Sequence, residues 1–152
     1  MKSTIFGWTL IVLLTGLTAG QGAKISDEQR KAIMDYPLTM PRANQLISAL
    51  TAMTKYVVSL PDYAERVRKS AQMTAAEQIA QLEKDPKAAA ILKQNQLTAR
   101  EYLVGVPTLR MALLAANGTP GANVIASPAN IAFAKANYAA LKPKMDAADT
   151  GH

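Results

Sequence analysis

Hydrophobic positions along most of the chain repeat with the period of an α-helix. Leu46, Leu50, Met53, Val57 and Leu60 are separated by four, three, four and three positions, which predicts one apolar stripe on a long helix. Two later stripes have similar spacings: Tyr102, Val106, Leu109 and Leu113, and then Ile131, Ala134, Tyr138 and Leu141. No run of alternating β-branched residues predicts a strand. We therefore expect an all-α fold, a compact bundle of about six or seven short to medium helices whose stripes meet in one core.

Capping signals predict where the helices begin. The pairs Ser26 with Gln29, Thr74 with Glu77, and Thr98 with Glu101 fit capping boxes, and Asp85 and Ser127 each precede a proline at the first helical position. The predicted helices span approximately 26–35, 40–60, 62–71, 75–84, 86–95, 99–116 and 128–141. The glycines and proline of 117–127 predict an irregular connector.

Gly105 and Pro107 lie inside the helix predicted for 99–116, where proline removes a backbone donor and favours a kink. A kink there has two interpretations. It bends a long helix around its own core, or it opens an apolar cavity for a ligand or partner. The candidate contact residues for the second interpretation are Tyr102, Val106, Pro107 and Met111.

The N-terminus has the pattern of a secretory signal peptide. Lys2 precedes an apolar run over 10–17, and small residues follow up to Ala23. We expect a signal peptide over 1–23, with an approximate cleavage site, and a single helical domain over 24–152. The protein would then be exported and periplasmic or secreted, without a stable membrane span. The alternative is an uncleaved anchor, because no charged residue lies between Ser3 and Ala23.

The amino-acid composition limits the kinds of functional site that the chain can form. The chain has no Cys, and its only His is the last residue, His152, which disfavours disulfides, thiolate or triad catalysis and histidine-ligated metals. The net charge is +6, but the basic residues are dispersed, and we therefore expect no nucleic-acid partner. Asp62 and Glu65 share a helix face but lie beside Arg66, which predicts charge pairing. We expect no enzyme activity, cofactor or metal.

Three segments carry a resemblance to known proteins. The segments Tyr-Pro-Leu-Thr-Met at 36–40, Leu-Thr-Ala-Arg-Glu-Tyr at 97–102 and Ser-Pro-Ala-Asn-Ile-Ala-Phe at 127–133 resemble a group of uncharacterised small exported bacterial all-helical proteins. The resemblance implies a bacterial cell-envelope or secreted setting and an all-helical domain, with no catalytic or binding residues to transfer. Segments 25–29, 73–77 and 97–101 are also similar, in part, to the Leu-Thr-x-x-Gln signature of periplasmic stress chaperones, a pattern that ordinary capping boxes also produce.

Three functions remain open at this point. The first is a non-catalytic module that binds a protein partner or a cell-envelope component through an exposed apolar patch. The second is a carrier of an apolar small molecule or lipid beside the Gly105–Pro107 kink. The third is a holdase-like chaperone that uses flexible methionines, such as Met34, Met40 and Met73, to hold unfolded clients.

Overall fold

A computed structural model describes residues 25–118 and 124–151. The predicted signal peptide and His152 lie outside these residues. The described part of the chain forms seven α-helices and no strand, which confirms the all-α prediction. The helices are α1 (Asp27–Asp35), α2 (Met40–Val58), α3 (Tyr63–Ser70), α4 (Ala75–Lys84), α5 (Pro86–Gln94), α6 (Ala99–Ala116) and α7 (Pro128–Thr150). No helix among them is long and apolar enough to cross a membrane.

The five helix starts predicted from capping residues are confirmed by side-chain hydrogen bonds, whereas Asp62 at the start of α3 forms no such bond. Ser26, Thr74 and Thr98 accept from the backbone N–H three residues later, and the side chain at that later position accepts from the capping residue's N–H. Asp85 and Ser127 cap α5 and α7 in front of their prolines. These caps form because each one satisfies, within a single turn, donors that the helix leaves open.

Helices α2, α6 and α7 pack together and form the centre of the bundle. Helix α1 lies against α6, α5 lies against α2 and α6, and α4 lies against α5 and α6. The stripe of α6 is buried throughout, whereas the stripe of α2 is buried as far as Met53 and half-buried at Val57 and Leu60. The far end of α2 therefore has apolar side chains that the central helices do not fully cover.

The end predicted for the last helix is wrong. Helix α7 continues through Pro143 to Thr150 rather than ending near 141. Proline disfavours the helix interior by about 3 kcal/mol, but its ring lies on the exposed side here. On the opposite side Met145 and Ala148 are buried, and Asp149 pairs with Arg110 of α6. Tertiary packing of this last stretch offsets the local cost of the proline.

Asn130 in the first turn of α7 holds the extended segment that precedes α2. Its Oδ1 accepts from the Leu38 N–H at 3.1 Å, and its Nδ2 donates to the Tyr36 carbonyl at 2.8 Å. Arg42, close by in α2, pairs with Glu101 of α6 at 3.3 Å. The Asn130 contacts join segment 127–133 to segment 36–40, and Glu101 of segment 97–102 pairs with Arg42, two residues beyond segment 36–40.

Gly105 allows α6 to approach α2 closely. A Cβ atom at this position would lie 2.7 Å from Leu46 Cδ2 and 2.9 Å from Tyr36 Cζ, closer than carbon atoms pack. Leu46 is fully buried, so its side chain can shift only if its neighbours in the core shift with it. The glycine is therefore required by helix–helix contact, and α6 runs through both Gly105 and Pro107 as a continuous helix.

We expect Gly105→Ala to lower the free energy of unfolding by up to about 2 kcal/mol. Overpacking a tight core costs about 1–3 kcal/mol, and the better helix propensity of alanine returns about 1 kcal/mol of it. Urea denaturation measures the difference. In a Leu46→Ala background much of the clash is absent, and the same substitution should cost markedly less. A Gly105→Ala protein more stable than the parent would show that α2 and α6 do not meet closely at this point.

Candidate functional site

A cavity lies beside the C-terminal half of α2, between that helix and parts of α3, α4, α5 and α6. Its volume is about 80 Å³. A space of about 10–15 Å³ is already enough to hold one water molecule. The cavity therefore has room for a short alkyl chain or a few water molecules. The walls are mainly apolar, and their hydrophobic side chains are Leu50, Met53, Val57, Leu60, Leu82 and Leu103.

One side of the cavity is closed by a hydrogen bond between helices. Tyr56 Oη of α2 donates to Asp85 Oδ2 at 2.9 Å, and this bond raises the pKa of Tyr56 above its ordinary value. Asp85 Oδ1 already accepts the backbone N–H groups of Lys87 and Ala88, at 3.0 and 3.1 Å, as the N-cap of α5. Both carboxylate oxygens are therefore occupied, and the start of the helix stabilises the negative charge.

The other charged side chain of the lining is also paired. Arg66 of α3 directs its Nε at both carboxylate oxygens of Asp62, each at 2.8 Å, and this contact holds the pKa of Asp62 below its ordinary value. Elsewhere in the lining, Gln78 of α4 donates to the carbonyl of Ser70, which ends α3. The Tyr56–Asp85 and Gln78–Ser70 hydrogen bonds join neighbouring helices, and neither charge of the lining is left without a hydrogen-bonding partner.

Thr54 differs from the other polar residues of the lining. Its side chain is almost fully buried, with 1% of the residue exposed, and its hydroxyl has no hydrogen-bond partner. The Thr54 methyl group faces the end of α7, where a Cβ on Gly151 would lie 3.1 Å away. The hydroxyl is enclosed by protein atoms and is not accessible from the cavity. Leaving such a group unsatisfied costs about 1–3 kcal/mol.

The four contact residues predicted from the sequence all lie on α6 and are all buried. Tyr102 lines the cavity, together with its neighbour Leu103. Val106, Pro107 and Met111 are not part of the lining. The cavity adjoins the turn before Pro107, and Leu103 is the residue whose carbonyl a proline at 107 leaves without its helical donor.

Sequence reasoning did not find the remaining lining residues. Tyr56 and Asp85 are 29 positions apart, and nothing in the local pattern pairs them. Thr54 did carry a signal, because a hydroxyl four residues after Leu50 lies next to the buried stripe of α2 and needs a partner once that stripe is covered.

A second polar cluster joins α6 and α7 away from the cavity. Arg110 and Asp149 form an ion pair with 14% and 26% of their side chains exposed. Burial raises the pKa of Asp149, an effect that the nearby guanidinium partly opposes. The Nε and Nη1 atoms of Arg110 are buried without a partner. Throughout the described ranges, no group of three or more acidic or histidine side chains is placed to hold a metal ion.

Comparisons with protein-family models, with curated proteins and with solved structures give no match for this chain. The functional argument therefore rests on the residues of the cavity.

Proposed function

We propose that this protein is a non-catalytic binding protein that carries a small, largely apolar molecule in the cavity between α2 and α6. The observation that supports this most directly is the cavity itself, an apolar recess between helices that is partly open to solvent and that the side chains leave unfilled. A concave, mainly apolar site with a few polar groups is the usual form of a ligand pocket.

An exposed apolar patch for a protein partner has less support. In the described residues, the large hydrophobic side chains that are exposed are Met34, at 37%, and Val58, at 49%. They belong to α1 and to the end of α2, and single exposed hydrophobic residues are ordinary on protein surfaces. The cavity is therefore the better candidate for recognition.

The chemistry of the lining favours binding over catalysis. Asp85 is the acidic residue of the lining, and both of its oxygens accept hydrogen bonds from groups of the protein. Three of the roughly four lone-pair positions of this carboxylate accept hydrogen bonds that hold α2 and α5 together, which indicates a structural role. The side chains that remain provide apolar contact and hydrogen bonds.

We further propose that binding takes place in the bacterial cell envelope. This part of the proposal is supported by the signal-peptide pattern over 1–23 and by the resemblance to exported helical proteins. An exported carrier would act on molecules of the periplasm or the medium. A protein anchored through an uncleaved N-terminus would present the same cavity at the membrane surface.

We expect Ala88→Leu to abolish binding and to stabilise the unliganded protein. Ala88 is a buried residue of the lining, so three added carbon atoms would occupy the cavity. Burying them should raise the free energy of unfolding by about 1–2 kcal/mol. The measurements are urea denaturation and an NMR titration with n-pentane and 1-butanol, two probes of similar shape.

Ala90→Leu is the matched control, because Ala90 lies on the same helix but is exposed, and it should leave both properties unchanged. Native mass spectrometry and solvent extraction of the protein from its own host should release a small molecule from the parent and none from Ala88→Leu. The proposal is wrong if the parent binds neither probe and yields only bare polypeptide, or if the occupant extracted is a peptide.

A further inference from the structure

We propose that the ligand is an uncharged molecule with a short apolar chain and a carbonyl group, and that the solvent-accessible Arg66 guanidinium beside the cavity binds the carbonyl oxygen. The inference rests on the proposed function and adds to it the chemical class of the ligand. It joins the apolar walls of the cavity to an accessible hydrogen-bond donor of the same lining.

Arg66 is a lining residue with hydrogen-bonding capacity that the protein does not use. Its side chain is 39% exposed, so solvent and a ligand can reach it. A guanidinium has several N–H donors and no acceptor. Within the described residues, Arg66 donates through Nε alone, to the carboxylate oxygens of Asp62. The N–H groups of both Nη nitrogens are therefore left for water or for a ligand.

The guanidinium lies within electrostatic reach of the polar pair that closes one side of the cavity. The hydrogen bond to Asp62 raises the pKa of Arg66, and Tyr56 and Asp85 act in the same direction at longer range. Arg66 in turn opposes the rise in the pKa of Tyr56 that the bond to Asp85 causes. Long cationic side chains lay their apolar stems along apolar surfaces and keep their head groups in water. The Arg66 donors are thus beside the cavity, where its apolar walls meet solvent.

The charges around the guanidinium favour an uncharged acceptor. Because arginine only donates, the matching ligand group is an oxygen with free lone pairs, and a carbonyl is such a group that needs no acceptor in return. An anionic head group would approach two carboxylates, Asp62 and Asp85, that act on a single guanidinium. A cationic head group would be repelled by Arg66, and both carboxylates already accept hydrogen bonds from the protein. An uncharged carbonyl avoids both costs.

The size of the cavity limits the apolar chain of the ligand. About 80 Å³ admits a short alkyl segment and excludes a whole lipid chain. The carbonyl must therefore lie within a few carbon atoms of the buried end if it is to meet a donor at the solvent boundary. A methyl ketone or a short-chain ester or amide satisfies this condition.

The test compares 2-pentanone with n-pentane, which has a similar shape but no acceptor, by NMR titration of the full-length protein and its variants. We expect Arg66→Met, which keeps an unbranched apolar stem but removes the donors, to weaken 2-pentanone binding about fivefold. It should change n-pentane binding by less than about twofold, because the apolar contacts are retained. Arg66→Lys keeps the charge and a smaller set of donors, and it should restore part of the preference for the ketone.

Arg68→Met is the matched control. Arg68 lies on the same helix and is exposed, but it is not part of the lining, so this variant should change the affinity for neither probe. If Arg66→Met weakens both probes equally, or weakens neither, or if Arg68→Met has the same effect, the inference is wrong while the cavity remains a binding site. Tighter binding of pentanoate than of 2-pentanone would also overturn it. If neither probe binds the parent, the proposed function and the inference fall together.

Discussion

Replacing Asn130 by alanine should lower the free energy of unfolding by about 3 kcal/mol. The substitution removes both the acceptor of the Leu38 N–H and the donor to the Tyr36 carbonyl. Each buried backbone group left without a partner costs about 1–3 kcal/mol, and we take the lower part of the sum for two groups because Leu38 is buried but Tyr36 is only half-buried. Urea denaturation measures the loss, and amide hydrogen exchange should show faster exchange at Leu38.

Asn137→Ala on the same helix is the control. The Asn137 side chain donates to the Phe133 carbonyl one turn earlier, which is a local contact within α7. Its removal should cost less than about 1 kcal/mol, because the carbonyl is within an intact helix and the residue is half-buried. Equal losses for the two variants would mean that Asn130 does not hold the segment before α2, contrary to the structure.

Replacing Arg110 by methionine should lower the free energy of unfolding by about 2 kcal/mol at neutral pH. Methionine keeps the apolar stem but leaves the Asp149 carboxylate partly buried without its cation. Removing one partner of a fully buried pair costs about 3–5 kcal/mol, and we reduce this figure because 26% of the Asp149 side chain is exposed.

The stability that Arg110→Met loses should be largely recovered at low pH. The folded-state pKa of Asp149 is already raised by burial, and without Arg110 it rises further. In the variant, the folded protein therefore takes up a proton more readily than the unfolded chain does, and stability increases as the pH falls through the folded-state pKa. Denaturation at pH 7 and near pH 4 should show that most of the loss disappears in acid.

A double variant separates the charge from the packing. Arg110→Met with Asp149→Leu removes both charges, and replacing a whole buried pair by apolar residues is often neutral. We expect its stability to be within about 1 kcal/mol of the parent. A double variant as unstable as Arg110→Met alone would assign the loss to the Arg110 side chain itself rather than to an unpaired carboxylate.

The parts of the fold that could be predicted from the sequence are local ones. Predicted bounds for α4 and α6 agree with the structure, because Thr74 and Thr98 open each helix with a hydroxyl and a returning carboxylate within one turn. The prediction failed at the end of α7. Pro143 is a sound local signal for a break, and only the buried face formed by Met145 and Ala148 overrides it.

Much less of the candidate site could be predicted. Tyr102 was identified because Gly105 and Pro107 mark an unusual helix, and the structure places it in the lining of the cavity. The contact between Tyr56 and Asp85, by contrast, depends on the angle at which α2 meets α5. A pattern of apolar positions predicts that a face is buried but not how completely the opposite face fills the space.

By itself, the sequence determined that the chain is helical, where most helices begin, and which side of each central helix faces the core, because caps and periodicity act within one or two turns. The tertiary structure decided which helices meet, that Gly105 serves close contact, that α7 continues past its proline, and that a cavity remains beside Thr54. These features arise from side chains far apart in sequence, whose volumes and hydrogen bonds can be matched only after the helices have packed.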